Sequence, residues 1–258
     1  LNLIILSERH NTAARINLEG VMNESSSETR RSVPIYAYFI FALYTLLFPA
    51  IIFLGAGTLQ WPIGWLYYGI AVLTTIISRL LVARVNPDQL TERGRSLEAE
   101  NTKSWDRTLS KLVGLVLPVV ALTVIGLDHR WGWSPALPAW VPPAALILML
   151  LGYALATWAF VVNRFFSGVV RIQEDRGHHV VTDGPYRYVR HPGYLGGLLA
   201  ILATPLLLGS LWGFIPVALY FVLLVIRTAL EDQTLQEELP GYQDYAQRTR
   251  YRLLPGAW

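Results

Sequence analysis

The chain has 258 residues, of which 53% are hydrophobic and only 15% charged, and its net charge is +3. A soluble domain carries about 25% charged residues, and here the apolar residues fall in long runs separated by short charged segments, the pattern of elements that cross lipid. The absence of cysteine excludes disulfides, thiolate nucleophiles and cysteine-based metal sites.

The first 33 residues read as a polar extension. Leu1–Leu6 is apolar but too short for a signal-peptide core, and Glu8 and Arg9 follow at once. Ser25–Glu28 has a disordered composition. The chain begins with Leu, and Met22 offers a natural start, so residues 1–21 are expected to be an extension from a misassigned start codon. Six apolar helices follow, predicted over Ile35–Ala56, Ile63–Val85, Leu112–Leu127, Val141–Phe166, Tyr194–Leu208 and Phe214–Ile226. A span needs roughly 20 residues; the third and the last two are short. Asn86–Ser110, a mixture of Pro, Asp, Glu, Arg and Trp105, is expected to be an interfacial connector. The organisation predicted is an extension (1–33), four transmembrane helices (34–166), and a loop, helical hairpin and tail (167–258).

Gly209-Ser-Leu-Trp-Gly213 is either a turn or an interruption of one long helix, and charge decides between them. Cytoplasmic loops are enriched in Lys and Arg. With six spans, the inner segments hold Arg30 and Arg31, Arg84 through Lys111, Arg164 through Arg190 and Arg227 through Arg252, and the outer loops hold only Arg130. A single long helix would place Arg248, Arg250 and Arg252 outside. The sequence therefore predicts an all-α, polytopic integral membrane protein of about six spans ending in a helical hairpin, with both termini inside, in a bacterial inner membrane. Nine Trp and thirteen Tyr suit its two water–lipid boundaries. The small residues of Gly193-Tyr-Leu-Gly196-Gly197-Leu-Leu-Ala200 are expected to serve close helix packing.

The polar stretch from Val169 to Tyr194 links the fourth and fifth apolar runs and is more polar than a connector needs to be. Asp183-Gly184-Pro185 is a turn signal. His191-Pro192 places Pro at the start of a helix, where its missing N–H costs little, and the free N–H groups of that helix end favour a carboxylate or phosphate. Arg227-Thr-Ala-Leu-Glu231 sets an arginine and a glutamate on one helical face at the inner end of the last span. Its ordinary reading is an intrahelical ion pair; at a membrane boundary beside a histidine-rich loop, a functional role competes with it. The tail from Gly241 to Pro255 is basic and aromatic and is expected to fold back on the membrane face. His178, His179 and His191 fall within fourteen residues, but adjacent histidines rarely share an ion and no carboxylate sits at ligand spacing, so no metal is expected. There is no Walker loop, nucleophile elbow or Gly-x-Gly-x-x-Gly, so a nucleotide-like cofactor would not lie in a Rossmann crevice. No nucleic-acid partner is expected; the lipid bilayer is one.

The block His178-His-Val-Val-Thr-Asp-Gly-Pro-Tyr-Arg-Tyr-Val-Arg-His-Pro-Gly-Tyr194, the hairpin after it, Arg227-x-x-x-Glu231 and a Tyr-x-x-Tyr tail together resemble the isoprenylcysteine carboxyl methyltransferases and their prokaryotic relatives, over about Val169–Pro255. That family uses S-adenosylmethionine without a Rossmann fold. The resemblance implies cofactor contacts from His178, His179, Val180, Val181, Tyr186, His191, Pro192, Gly193, Tyr194 and Glu231. It also implies one at Arg171, where the eukaryotic enzymes carry Gln and Gln173 is the alternative. It implies substrate contact and a catalytic role for Arg227, with Glu231.

The chemistry of the residues is compatible. A helix N-terminus with His191 suits the cofactor's carboxylate, and Glu231 suits its ammonium. Tyr186 and Tyr194 can pack on adenine or face the sulfonium. Arg227 can hold an anionic acceptor by a two-pronged hydrogen bond. The expected activity is methyl transfer to a lipophilic or small acceptor, a carboxylate among the candidates, with a phospholipid amine or a thiol as alternatives. A reading from another class is an NADPH-dependent, sterol-reductase-like membrane enzyme, in which Arg187 and Arg190 would serve a 2′-phosphate.

Overall fold

The computed structural model describes residues 35–94 and 102–258. The expectations for residues 1–33, including the start at Met22, and for part of the connector lie outside these residues. The described structure is all-helical. Its elements are α1 (Ile35–Ala56), α2 (Pro62–Val85), α3 (Pro87–Gly94), α4 (Ser104–Trp131), α5 (Val141–Val162), α6 (Pro192–Leu208), α7 (Phe214–Glu238) and α8 (Tyr242–Arg248). α2, α4, α5 and α7 are long and apolar enough to cross a membrane, and residues 42–56 of α1 and all of α6 form shorter apolar helices. The protein is an integral membrane protein.

The helix ends differ from the sequence expectation where polar groups find distant partners. α4 begins at Ser104 rather than Leu112, because Asp106 in its first turn is paired inside the protein. Within it, Leu112–Val116 makes a π turn, and the Tyr44 hydroxyl donates to the Gly114 carbonyl at 3.1 Å. α7 runs on to Glu238 rather than stopping at Ile226, because Arg227, Thr228 and Asp232 turn inward and are buried. α5 stops at Val162, short of Phe166, where Asn163 is extended. Its last carbonyls have no partner within the helix, and the connector supplies them. Asn86 Nδ2 donates to Val161 O at 2.7 Å, and Gln89 Nε2 to Asn163 O at 2.7 Å.

Glycine sets the two closest helix contacts. A Cβ on Gly196 of α6 would lie 2.5 Å from Ala156 N and 2.6 Å from Gly152 O of α5. A Cβ on Gly126 of α4 would lie 2.4 Å from Ile52 O of α1. Side chains are excluded from both crossings, so backbone packs on backbone, as small-residue membrane interfaces do. α6 and α7 are separate helices joined by a turn, with Gly209 at φ +74° closing α6. At that end of the bundle the buried Asp128 accepts from Ser134 N at 2.8 Å, Ser134 Oγ at 2.5 Å and Ser210 Oγ at 2.5 Å, which ties the α4–α5 and α6–α7 turns together. Residues 85–94 and 102–104, the loop 163–191 and the tail gather at the opposite end.

Candidate active site

The loop after α5 and the first turn of α6 form one wall of a pocket, and the end of α7 with α8 forms the other. The pocket holds about 750 Å³ of empty space including its open mouth. Its lining includes Arg171, Gln173, His178, His179, Val180, Val181, Tyr186, His191, Gly193, Tyr194 and Glu231. Every expected cofactor residue except Pro192 therefore faces one space. Pro192 opens α6 beside it, buried.

Glu231 accepts a 2.5 Å hydrogen bond from the Tyr194 hydroxyl. The His191 ring stacks parallel to Tyr194 at 5.7 Å. Its Nε2 lies 3.4 Å from Asp232 Oδ1. Asp232, 0% exposed, is the hub of this corner. It takes Arg190 Nη2 at 3.0 Å, Arg252 Nε at 2.9 Å, Gln236 Nε2 at 2.9 Å and the Tyr242 hydroxyl at 3.1 Å. Backbone bonds from Arg190 N to Tyr251 O and from His191 N to Arg252 O, each 2.9 Å, strap the tail against the start of α6. The tail therefore folds onto the pocket itself. Opposite, Tyr186 is buried, which raises its phenol above the ordinary value; it accepts from Asn163 Nδ2 at 3.1 Å, and its carbonyl takes the Tyr245 hydroxyl at 2.7 Å.

His178 accepts the Gln173 backbone N–H on Nδ1 at 3.3 Å. Burial, reinforced by His179, Arg176 and Arg171, pushes its imidazole down to about 4, so at neutral pH it is uncharged. His179 Nδ1 lies 3.1 Å from the Gly177 carbonyl. Arg171 faces the pocket but is held by Glu92, with Nε–Oε1 at 2.8 Å and Nη2–Oε2 at 2.9 Å, and by Asp175 at 2.9 Å. Gln173 is buried, donating to Phe165 O at 2.6 Å and accepting from Arg176.

Arg227 does not line the pocket. It is 6% exposed, and its guanidinium carbon lies 5.3 Å from the centre of the Tyr194 ring. The two-pronged bond expected toward an acceptor is made instead to Asp106, with Nε–Oδ1 at 2.7 Å and Nη2–Oδ2 at 3.2 Å. Nor does it pair with Glu231 along the helix. Asp106 and Asp232 are the residues that sequence reasoning missed. Asp232 sits next to Glu231, and its place one residue past the Arg-x-x-x-Glu pattern was its one signal. Asp106 lies 121 residues from its partner and carries none.

These residues suit S-adenosylmethionine. A carboxylate with one hydroxyl partner is open to an ammonium, and aromatic rings flank the space. In the first turn of the 17-residue α6, Pro192 has no N–H and Tyr194 N and Leu195 N bond His191 O at 3.1 Å, which leaves the Gly193 N–H for a carboxylate. Residues 141–240 match the family model of phospholipid methyltransferase. The chain is 39% identical over 138 residues to the cobalt-zinc-cadmium resistance protein CzcN of Cupriavidus metallidurans, covering 52% of this chain and 58% of that one. It is 41% identical over 68 residues to the protein-S-isoprenylcysteine O-methyltransferase of Schizosaccharomyces pombe, covering 26% and 29%. It is also 33% identical over 132 residues to the Delta(14)-sterol reductase TM7SF2 of Mus musculus, covering 46% and 32%. The chain thus spans less than two thirds of the length of each of these three relatives. A solved structure of the eukaryotic intramembrane Ras methyltransferase, isoprenylcysteine carboxyl methyltransferase, aligns with a TM-score of 0.49 at 20% identity over 83% of this chain and 74% of that one, a likeness too loose to carry an argument. Over residues 141–240, the chain is thus similar to the phospholipid methyltransferases, and over a shorter stretch to an isoprenylcysteine methyltransferase.

Proposed function

We propose that this protein is an S-adenosylmethionine-dependent membrane methyltransferase acting on a small or lipophilic acceptor, a carboxylate foremost. The observation that carries the reading is the convergence of Glu231, Tyr194, His191, Tyr186 and the segment His178–Val181 on one pocket. S-adenosylmethionine, when bound, supplies an electrophilic methyl group. Glu231 holds its ammonium, the first turn of α6 with His191 holds its carboxylate, and Tyr186 and Tyr194 pack on its adenine or face its sulfonium. A carboxylate acceptor is ionised at neutral pH and needs no general base. The remaining work is alignment in a water-poor space, and Arg227 contributes positive charge from behind Tyr194. The pocket opens at the end of the bundle that carries most of the Lys and Arg, which supports a cytoplasmic site with both termini inside.

The likeness to a sterol reductase makes NADPH the rival ligand. Two features weigh against it. Arg190 is buried against Asp232, and Arg187 pairs with Asp183 at 3.1 Å away from the pocket lining, so the two do not converge on a phosphate. Calorimetric titration of the full chain with S-adenosylhomocysteine and with NADPH separates the readings. Binding of the former alone is expected; binding of NADPH alone would overturn the proposal. Radiolabelled methyl transfer into a lipid and small-molecule extract then identifies the acceptor.

A further inference from the structure

The pocket depends on a residue outside the region that matches the family model. Asp106, in the first turn of α4, is 0% exposed. Besides its two bonds to Arg227, its Oδ2 accepts the Val170 backbone N–H at 2.7 Å. The Val170 carbonyl in turn accepts Lys103 N at 3.1 Å, so the start of α4 holds both polar groups of that peptide position. Lys103 Nζ then reaches Glu238 at the end of α7 at 2.5 Å. Val170 lines the pocket on the loop side, and Arg227 packs on Tyr194 on the α7 side. One carboxylate thus touches the supports of both walls.

The orientation it imposes on Arg227 is specific. Nε and Nη2 are spent on Asp106 and on Gly168 O, the latter at 3.0 Å, and among the described residues Nη1 has no hydrogen-bond partner. A guanidinium carries five N–H donors in a fixed fork, so pinning one edge determines where the other points. We propose that Asp106 is the positioning residue of the active site, fixing Val170 in the loop and the guanidinium of Arg227 behind Tyr194, so that its charge acts on the pocket from a set place; this rests on the methyltransferase reading. A buried bidentate pair suits such a task because it holds register, whatever its net contribution to stability.

The test uses the full chain in detergent with Asp106→Asn and the double variant Asp106→Asn/Arg227→Gln. The double variant removes both charges and so avoids stranding a buried guanidinium. Three readouts are taken: hydrogen exchange, S-adenosylhomocysteine affinity, and methyl transfer to farnesylated N-acetylcysteine and to a native lipid extract. In Asp106→Asn, exchange is expected to rise tenfold or more in the peptide around Val170 and to stay unchanged in the α5–α6 contact. In the double variant, S-adenosylhomocysteine affinity is expected to stay within threefold of wild type while methyl transfer falls at least tenfold. Unchanged exchange at Val170 overturns the proposal, as does full transfer in the double variant. A rise in exchange across the whole chain in both variants also overturns it, because Asp106 would then act only in folding. If wild type binds no S-adenosylhomocysteine, the methyltransferase reading fails by itself, and the exchange at Val170 still decides whether Asp106 holds the loop.

Discussion

Glu231 carries the largest single load proposed for a side chain in the pocket. Its carboxylate has one hydroxyl partner, Tyr194, and faces open space. A hydrogen bond to a charged group contributes about 1.5–3 kcal/mol, so Glu231→Gln is expected to weaken S-adenosylhomocysteine binding about 10- to 100-fold in calorimetry. Asp232, its neighbour, acts differently. Removing it leaves the buried Arg190 without its carboxylate, and breaking a buried pair costs about 3–5 kcal/mol. Asp232→Asn is therefore expected to lower the thermal midpoint in detergent and to release the tail strap, raising hydrogen exchange at Arg190 and His191. His178 sets the acid limit. Its folded value of about 4 lies below the ordinary 6.5, so the unfolded chain binds more protons between those values and stability rises with pH across them. Acidification from about 6.5 to 4 should destabilise the protein because the unfolded chain takes up a proton that the buried ring, held neutral with its bond from Gln173 N, does not. The slope should flatten in His178→Gln, read from unfolding midpoints at each pH. Of these residues, Glu231 and His178 were legible in the sequence, because each sits in a dense local motif. Asp232 was overlooked because an acidic residue after Glu231 looks like ordinary helix surface until its cations arrive from Arg190, 42 positions away, and Arg252, 20 positions away.

At the scale of elements, the helix pairs depend on glycine. The α5–α6 crossing leaves no room for a Cβ at Gly196 or Gly152. Gly196→Ala is expected to cost about 1–3 kcal/mol through overpacking, and Gly196→Leu to leave little folded protein, both measured by denaturation in micelles. Because α6 carries His191 at its foot, the same substitutions should weaken S-adenosylhomocysteine binding even in the fraction that folds. The small-residue pattern of α6 was legible as close packing, since its spacing puts the residues near one helix face. The identity of the partner was not, because several apolar helices could have presented a matching groove. The connector does more than its composition indicated. Its mixed composition suggested an interfacial segment, and in its described residues α3 and the residue before it also cap the end of α5 through Gln89 and Asn86, while α3 braces the loop through Glu92. Polar residues beside a membrane satisfy either water or buried backbone, and composition alone does not distinguish the two.

For the whole molecule, the antiparallel helices place Ala136 in the turn between α4 and α5 and Gln247 near the tail, at opposite ends and both exposed. The absence of native cysteine allows single-cysteine labelling without background. With the proposed orientation, Ala136→Cys is expected to react with an impermeant maleimide in intact cells, and Gln247→Cys only after permeabilisation. The reverse pattern would place the pocket outside.

Sequence by itself determined membrane residence, the approximate helices and the polar loop that carries most of the pocket. These follow from composition and from motifs whose residues are near neighbours in the chain. Tertiary structure alone decided that Arg227 bonds Asp106, that Asp232 gathers the tail, and that the connector supports the loop. The physical reason is that a buried charge must find a counter-charge. Which one it meets depends on helix crossings set by glycine contacts, and those bring together residues as far apart as 106 and 227.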